Sequence, residues 1–269
     1  MAAQFDAVAE LTGTFKTLFE KRNWMLAVPV LVTALVTAIL IAIGVMVGFG
    51  SLFAAGGLAG MAGAGEGGRG PAALAAGIFS GAGLLFLICA LVGVLVSVFG
   101  YAWAYAAAEP VWKGGDPDIG GGFNRALSKL APLVVLGIIV VLVAGLLSWT
   151  IIVPLAVFFF CLYTIPYVMQ GNQSGTGAIG ASINLVKDNF GPTAMLFLGL
   201  IIVGIVAGII NAILGLIPVL GQIVAIVVAS LIGAYSTLAI MRWYTLLTGS
   251  AVATAAPAPP APPPAAPTP

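Results

Sequence analysis

Histidine is absent from this 269-residue chain, and charge is scarce: 9 Lys and Arg, 8 Asp and Glu, with only two cysteines. Each shortage removes a class of chemistry. Without histidine the chain lacks the commonest general base and the commonest metal ligand. A Ser–His pair of the rhomboid type is excluded, and a zinc site has no adequate ligand set. Soluble domains carry about 25% charged residues; here the share is 6%, against 61% hydrophobic residues and a mean hydropathy of +1.19. So few charges cannot cover a surface that faces water. The formal net charge of +1 gives no field to attract nucleic acid or an acidic partner. Cys89 and Cys161 each lie in an apolar run. They read as small apolar side chains, not as a disulfide or redox pair.

What the chain does have is long apolar sequence. Runs of about 18 or more such residues read as transmembrane helices. Six can be drawn, over Trp24–Phe49, Gly77–Ala107, Pro132–Trp149, Pro154–Tyr167, Pro192–Leu214 and Val219–Tyr244; the fourth is shorter than this, and its start can move towards Ile151. The expected fold is all-α: a polytopic membrane helix bundle. Residues 1–23 read as a cytoplasmic, amphipathic interfacial helix, 24–249 as the six-helix transmembrane domain, and 250–269 as a disordered Ala/Pro-rich cytoplasmic tail. The Gly/Ala-rich stretch Ser51–Gly70 reads as a flexible loop. Ser148–Ile151 and Ile217–Pro218 with Gly221 read as turns between spans. The first apolar run exceeds the roughly 7–15 residues of a cleavable signal core. It also follows Asp6, Glu10 and Glu20, so it reads as a retained signal anchor and not as a transit peptide.

The charges then set the orientation. Lys16, Lys21 and Arg22 precede span one; Lys113, Arg125 and Lys129 lie between spans two and three; Lys187 lies between four and five; and Arg242 closes span six. All eight fall on one side, and only Arg69, close to Glu66, falls opposite. The positive-inside rule puts both termini in the cytoplasm of a bacterial-type inner membrane. Trp24, Trp103, Tyr105, Tyr167, Trp243 and Tyr244 are expected as interface anchors on that side, with Trp149 on the other.

A weak repeat organises the whole. Lys21-Arg22-Asn23-Trp24 opens span one, and Lys187-Asp188-Asn189-Phe190 precedes span five. Phe5, Val8, Leu11, Phe15, Leu18 and Phe19 precede the first at helical spacing; Ile179, Ile183, Leu185 and Val186 precede the second. Phe123–Pro132 is a looser third copy. The expected unit is an interfacial helix, one or two basic residues, then an apolar hairpin. Three units give six spans, with Lys21, Arg22, Arg125, Lys129 and Lys187 as candidate contacts to anionic lipid headgroups.

Functional sites inside membranes usually announce themselves as ionisable residues at depth. Spans one, three, four and five contain no Asp, Glu, Lys or Arg; Glu109 and Arg242 end spans two and six. A proton or sodium relay and an aspartyl intramembrane protease are thereby disfavoured. The candidate polar interior positions are Asn211, Tyr235 and Tyr101, with Asn211 read first as an interhelical hydrogen-bonding group. Gly44-x3-Gly48, Gly100-x3-Ala104-x3-Ala108 and Gly204-x3-Gly208-x3-Ala212 are expected to let helices approach closely. Pro166 is a candidate kink or hinge within span four. Asp116-Pro117-Asp118 reads as a solvated turn, not a cation site.

From Ala181 to Tyr244 the chain resembles a group of poorly characterised bacterial six-span membrane proteins. That group includes the membrane domain attached to some glycerophosphodiester phosphodiesterases. The resemblance rests on Ala181-Ser182-Ile183-Asn184-Leu185-Val186-Lys187-Asp188-Asn189-Phe190, the hairpin broken near Ile217-Pro218, and Arg242-Trp243-Tyr244, with Phe123–Pro132 as an echo. It implies an architecture and no mechanism. The phosphodiesterase activity does not carry over, because the chain has no room for that catalytic domain and no histidine.

The functional expectation is a non-enzymatic integral membrane module: a scaffold, anchor or envelope-modulating protein. No cofactor, metal or nucleic acid is expected. The lipid bilayer is the expected partner, and membrane or cytoplasmic protein partners and an oligomer are compatible with the sequence. The alternative is a small transporter, channel or lipid-translocating protein for a neutral or lipid-like solute.

Overall fold

The computed structural model describes residues 6–54, 81–147, 152–170, 173, 175–217 and 220–249. Among these are ten α-helices and no strand. In chain order they are α1 (Ala7–Phe19), α2 (Ala27–Ala54), α3 (Gly81–Ala108), α4 (Ile119–Ser128), α5 (Leu130–Leu147), α6 (Ile152–Phe160), α7 (Thr164–Gln170), α8 (Gly175–Asp188), α9 (Phe190–Leu214) and α10 (Leu220–Leu247). Five helical stretches are long and apolar enough to cross a membrane: Asn23–Val47, Leu84–Lys113, Val153–Gln170, Phe190–Leu214 and Leu220–Leu247. A sixth is gained if α4 and α5, bent by 76° where they meet, are taken as one. A helix meets all its backbone hydrogen bonds internally, which is why apolar sequence of this length takes that form in lipid.

Proline sets where these helices begin. Pro29, Pro132, Pro154, Pro166 and Pro192 each occupy the third residue of α2, α5, α6, α7 and α9. There the missing N–H is one of the donors a helix start leaves unpaired in any case. The next residue makes the first helical bond: Leu133 to the Lys129 carbonyl, Tyr167 to Tyr163 and Thr193 to Asn189. Pro166 therefore does not kink a continuous helix, as the sequence suggested. The chain breaks three residues earlier, at Cys161–Tyr163, and Pro166 starts α7.

That break is repaired from outside. The Ser182 hydroxyl on α8 donates to the Phe160 carbonyl at 2.8 Å and accepts from the Tyr163 N–H at 3.1 Å. One buried side chain thus satisfies a donor and an acceptor that α6 and α7 cannot satisfy between them.

Helices α2 and α3 run antiparallel and very close. A Cβ on Gly100 would overlap the Thr33 hydroxyl, and one on Gly93 would lie 3.1 Å from the Thr37 methyl. Gly44 faces Phe86 and Cys89 in the same way. Thr37 also hydrogen-bonds the Gly93 carbonyl and the Ser97 hydroxyl, both at 3.2 Å. Ala104 and Ala108 are fully buried, as the spacing Gly100-x3-Ala104-x3-Ala108 predicts. The stripe on α9 behaves differently. Nothing approaches the Cβ positions of Gly204 or Gly208, and Ala212 is exposed. Small residues at this spacing permit a contact without creating one.

Other boundaries shift modestly. A 3-10 turn, Asn23–Leu26, precedes α2, which runs on to Ala54 and so takes in the first residues of the expected Ser51–Gly70 loop. The rest of that loop, Glu66, Arg69, the Ser148–Ile151 turn with Trp149, Pro218 and the tail beyond Gly249 lie outside the described residues.

Candidate functional site

All the described Asp, Glu, Lys and Arg residues fall in α1, α4, α8, the turns beside them, or the ends of α3 and α10. Hydrogen bonds and ion pairs tie these segments into one end of the bundle. Asp6 caps α1, accepting from the Val8 and Ala9 N–H groups at 3.1 Å each. Asp118 caps α4 through the Gly121 N–H at 2.8 Å. Asn23 donates to the Thr17 carbonyl near the end of α1 at 2.8 Å, and Asn189 donates to the Leu185 carbonyl near the end of α8 at 3.1 Å. These two asparagines, equivalent in the sequence repeat, thus do the same work.

Two ion-pair groups fasten the short helices to the long ones. On one side, Arg242 of α10 donates to both Glu10 oxygens of α1, at 2.9 and 3.3 Å, while its guanidinium lies 5.0 Å from the Trp112 ring. On the other, Glu109 at the end of α3 accepts from Lys113 at 2.7 Å and from Arg125 of α4. The Lys21 amine reaches the Gly114 carbonyl at 3.5 Å. Beneath this layer, Gly122 of α4 sits against Ala107 of α3, where a Cβ would meet the Ala107 nitrogen at 2.8 Å. That contact holds α4 flat on the bundle at the bend into α5.

The aromatics expected to ring the membrane interface are mostly inside the protein. Tyr105 and Tyr244 are buried, and Trp243 is 0% exposed, with its indole N–H donating to the Pro192 carbonyl at 3.2 Å. Trp103 donates to the Ile119 carbonyl at 2.7 Å. Tyr163 is fully buried, and its hydroxyl lies 3.3 Å from that of Thr193. Among the described anchors, only Trp24, 52% exposed, stands out from the protein as an anchor would. The sequence places these rings at one level. Packing decides that most of them form the core there.

The three candidate interior positions do not converge. Tyr101 on α3 is 39% exposed, with its hydroxyl near Gly233. Tyr235 on α10 is buried, stacks edge-on against Phe15, and donates to the Leu11 carbonyl of α1 at 3.4 Å. It therefore fixes α1. Asn211 lies three residues from the end of α9, and its side-chain oxygen is buried without a hydrogen-bond partner. Tyr235 lies fifteen residues into α10. At 1.5 Å per residue that sets the two at depths about 18 Å apart.

The candidate headgroup contacts divide. Lys21, Arg22 and Lys187 are exposed, Lys129 is half-buried, and Arg125 is shared with Glu109. No group of three or more Cys, Asp or Glu able to hold a metal occurs among the described residues, and both cysteines are free.

Two cavities stand out. One, of about 450 Å³, lies at the charged end between α3 and α4, lined by Glu109, Lys113, Asp118 and Arg125. Its cations already share the Glu109 carboxylate. The other, of about 640 Å³, is an apolar groove between α1, α9 and α10 that includes Phe15, Ile202, Val206 and Tyr235. Sequence reasoning missed it. Its only advance signal was the pair Phe15 and Phe19, which the helical spacing of α1 places beside Leu11 and Leu18.

No family model matches the chain, and comparisons with curated proteins and with solved structures find no match. The helices long and apolar enough to span a membrane fit the class of helical, multi-pass membrane proteins.

Proposed function

We propose that the chain is a non-enzymatic integral protein of a bacterial cytoplasmic membrane that scaffolds or anchors partners, or modulates the envelope. In this reading it crosses six times as three hairpins, each led by an amphipathic helix (α1, α4 and α8), with both termini in the cytoplasm. Kinship with the six-span group named above is part of the same proposal. One observation carries it. The described charged side chains lie at one end, where several of them cap and pin short helices, and none of the five single spans holds Asp, Glu, Lys or Arg outside its last two turns. Lys21, Arg22 and Lys187 are exposed, Lys21 with a long hydrogen bond to the Gly114 carbonyl, and each can meet an anionic headgroup, worth about 1 kcal/mol near such a surface. The transport reading ranks second because Asn211, Tyr235 and Tyr101 line no common path.

Two measurements test this. Reporter fusions at Gly65 and Ser250 should report opposite sides of the membrane; the same side would refute the topology. Crosslinking in cells should trap a stoichiometric partner, while the purified chain in liposomes should move neither solute nor lipid. Flux that disappears with Asn211→Leu would overturn the scaffold reading in favour of transport.

A further inference from the structure

The apolar groove between α1, α9 and α10 goes beyond that reading and holds whether the protein scaffolds or transports. Its walls are aliphatic and aromatic, with Thr12 and the already bonded Tyr235 hydroxyl as the polar exceptions. Its α9 wall runs from Gly199 to Ile210, a rise of about 17 Å. One leaflet of a bilayer contributes about 15 Å of hydrocarbon, so the groove matches one acyl chain in length. Its volume of about 640 Å³ falls in the range of formed small-molecule sites, roughly 300–1,000 Å³.

The charged end of the groove supplies the second observation. Helix α1 closes it there with Thr12, Phe15 and Phe19. Lys16 follows Thr12 by four residues and precedes Phe19 by three, so it shares their face. Lys16 is exposed and has no ion-pair partner among the described residues. Lys113, Arg125 and Arg242 each have a carboxylate. A free cation at the mouth of an apolar groove complements an anionic headgroup joined to an acyl chain.

We propose that this groove binds one acyl chain of an anionic glycerophospholipid, with Lys16 meeting its phosphate. The test uses the full chain in vesicles of phosphatidylcholine and phosphatidylglycerol. Either lipid carries a photoactivatable group on its acyl chain, and labelled positions are read by mass spectrometry. The phosphatidylglycerol probe should label Ile202 and Val206 more than the outward Ile39 and Met46 of α2. It should do so about fivefold more than the phosphatidylcholine probe, the weight of one Lys near an anionic surface. Lys16→Gln, at an exposed position, should bring the two probes level, and Val206→Trp should abolish groove labelling by both. Equal labelling by the two probes in the native chain, or labelling of α2 as strong as of the groove, would overturn the proposal. So would a groove left unlabelled because a second copy of the chain covers it.

Discussion

Helix α3 shows two worlds along one rod. Towards its charged end Ala102, Ala104, Ala107 and Ala108 are fully buried and Tyr105 nearly so; towards the other end Leu84, Leu87 and Ile88 are exposed. The same contrast runs through the bundle. Ala27 and Val30 of α2 are buried while Ile39 and Met46 are exposed, and Leu196 of α9 is buried while Ile205, Ile209 and Ile213 are not. Larger apolar side chains at the far end do not pull the helices together. In lipid there is no hydrophobic force between helices, because the tails are as apolar as leucine. Packing needs shape, small residues, hydrogen bonds or charge. The charged end has all four: Gly100 against Thr33, Ser182 across the helix break, Arg242 on Glu10, and Trp243 in a fitted slot.

Substitutions can test how deep that asymmetry runs. The largest effect is expected at Trp243→Ala, which empties a fully buried site and should cost about 3–5 kcal/mol. Ile213→Ala, at a position 59% exposed, should change stability by less than about 0.5 kcal/mol. Thermal unfolding of the purified protein in detergent compares the two, and equal losses would erase the distinction between the ends.

Gly100→Leu comes next. Its side chain would enter the Thr33 contact and should cost about 1–3 kcal/mol through overpacking. Gly208→Leu, where space is open, should be close to neutral in a monomer. If Gly208→Leu instead changes the oligomeric state on size-exclusion chromatography with light scattering, the outer face of α9 is an interface between copies.

Ser182→Ala would leave the Phe160 carbonyl and Tyr163 N–H unpaired, at about 1–3 kcal/mol. Faster amide exchange should appear over Cys161–Gln170 and not in α2. The smallest effect belongs to Glu10→Gln. This partly exposed pair contributes up to about 1 kcal/mol, so α1 should exchange faster, and the difference from the native chain should shrink as salt rises.

Much of the architecture is legible in the sequence. Apolar length reports spanning helices directly, because the bilayer sets a minimum. The caps made by Asp6 and Asp118 and by the asparagines that close α1 and α8 emerged only with the structure, although each acts within a few residues of itself. The Pro166 hinge was misplaced for a local reason as well: proline ends the preceding helix ahead of itself, and the consequence appears at Cys161. What sequence could not show was partnership. Trp243 and Trp24 are the same residue type, and the sequence predicts the same membrane level for both, yet one is core and one is exposed. Gly100 and Gly208 sit in similar small-residue stripes, yet only one has a helix against it.

The sequence by itself therefore determined the solvent of this protein, the helical form that solvent requires, and the gathering of its described charge at one end. These depend on composition, length and order along the chain. Only the tertiary structure decided which of those charges are paired, which aromatics are buried, where the bundle closes, and that Lys16 is left free beside an apolar groove. Those depend on which faces meet, and in a chain apolar on nearly every face periodicity cannot say which side turns inward.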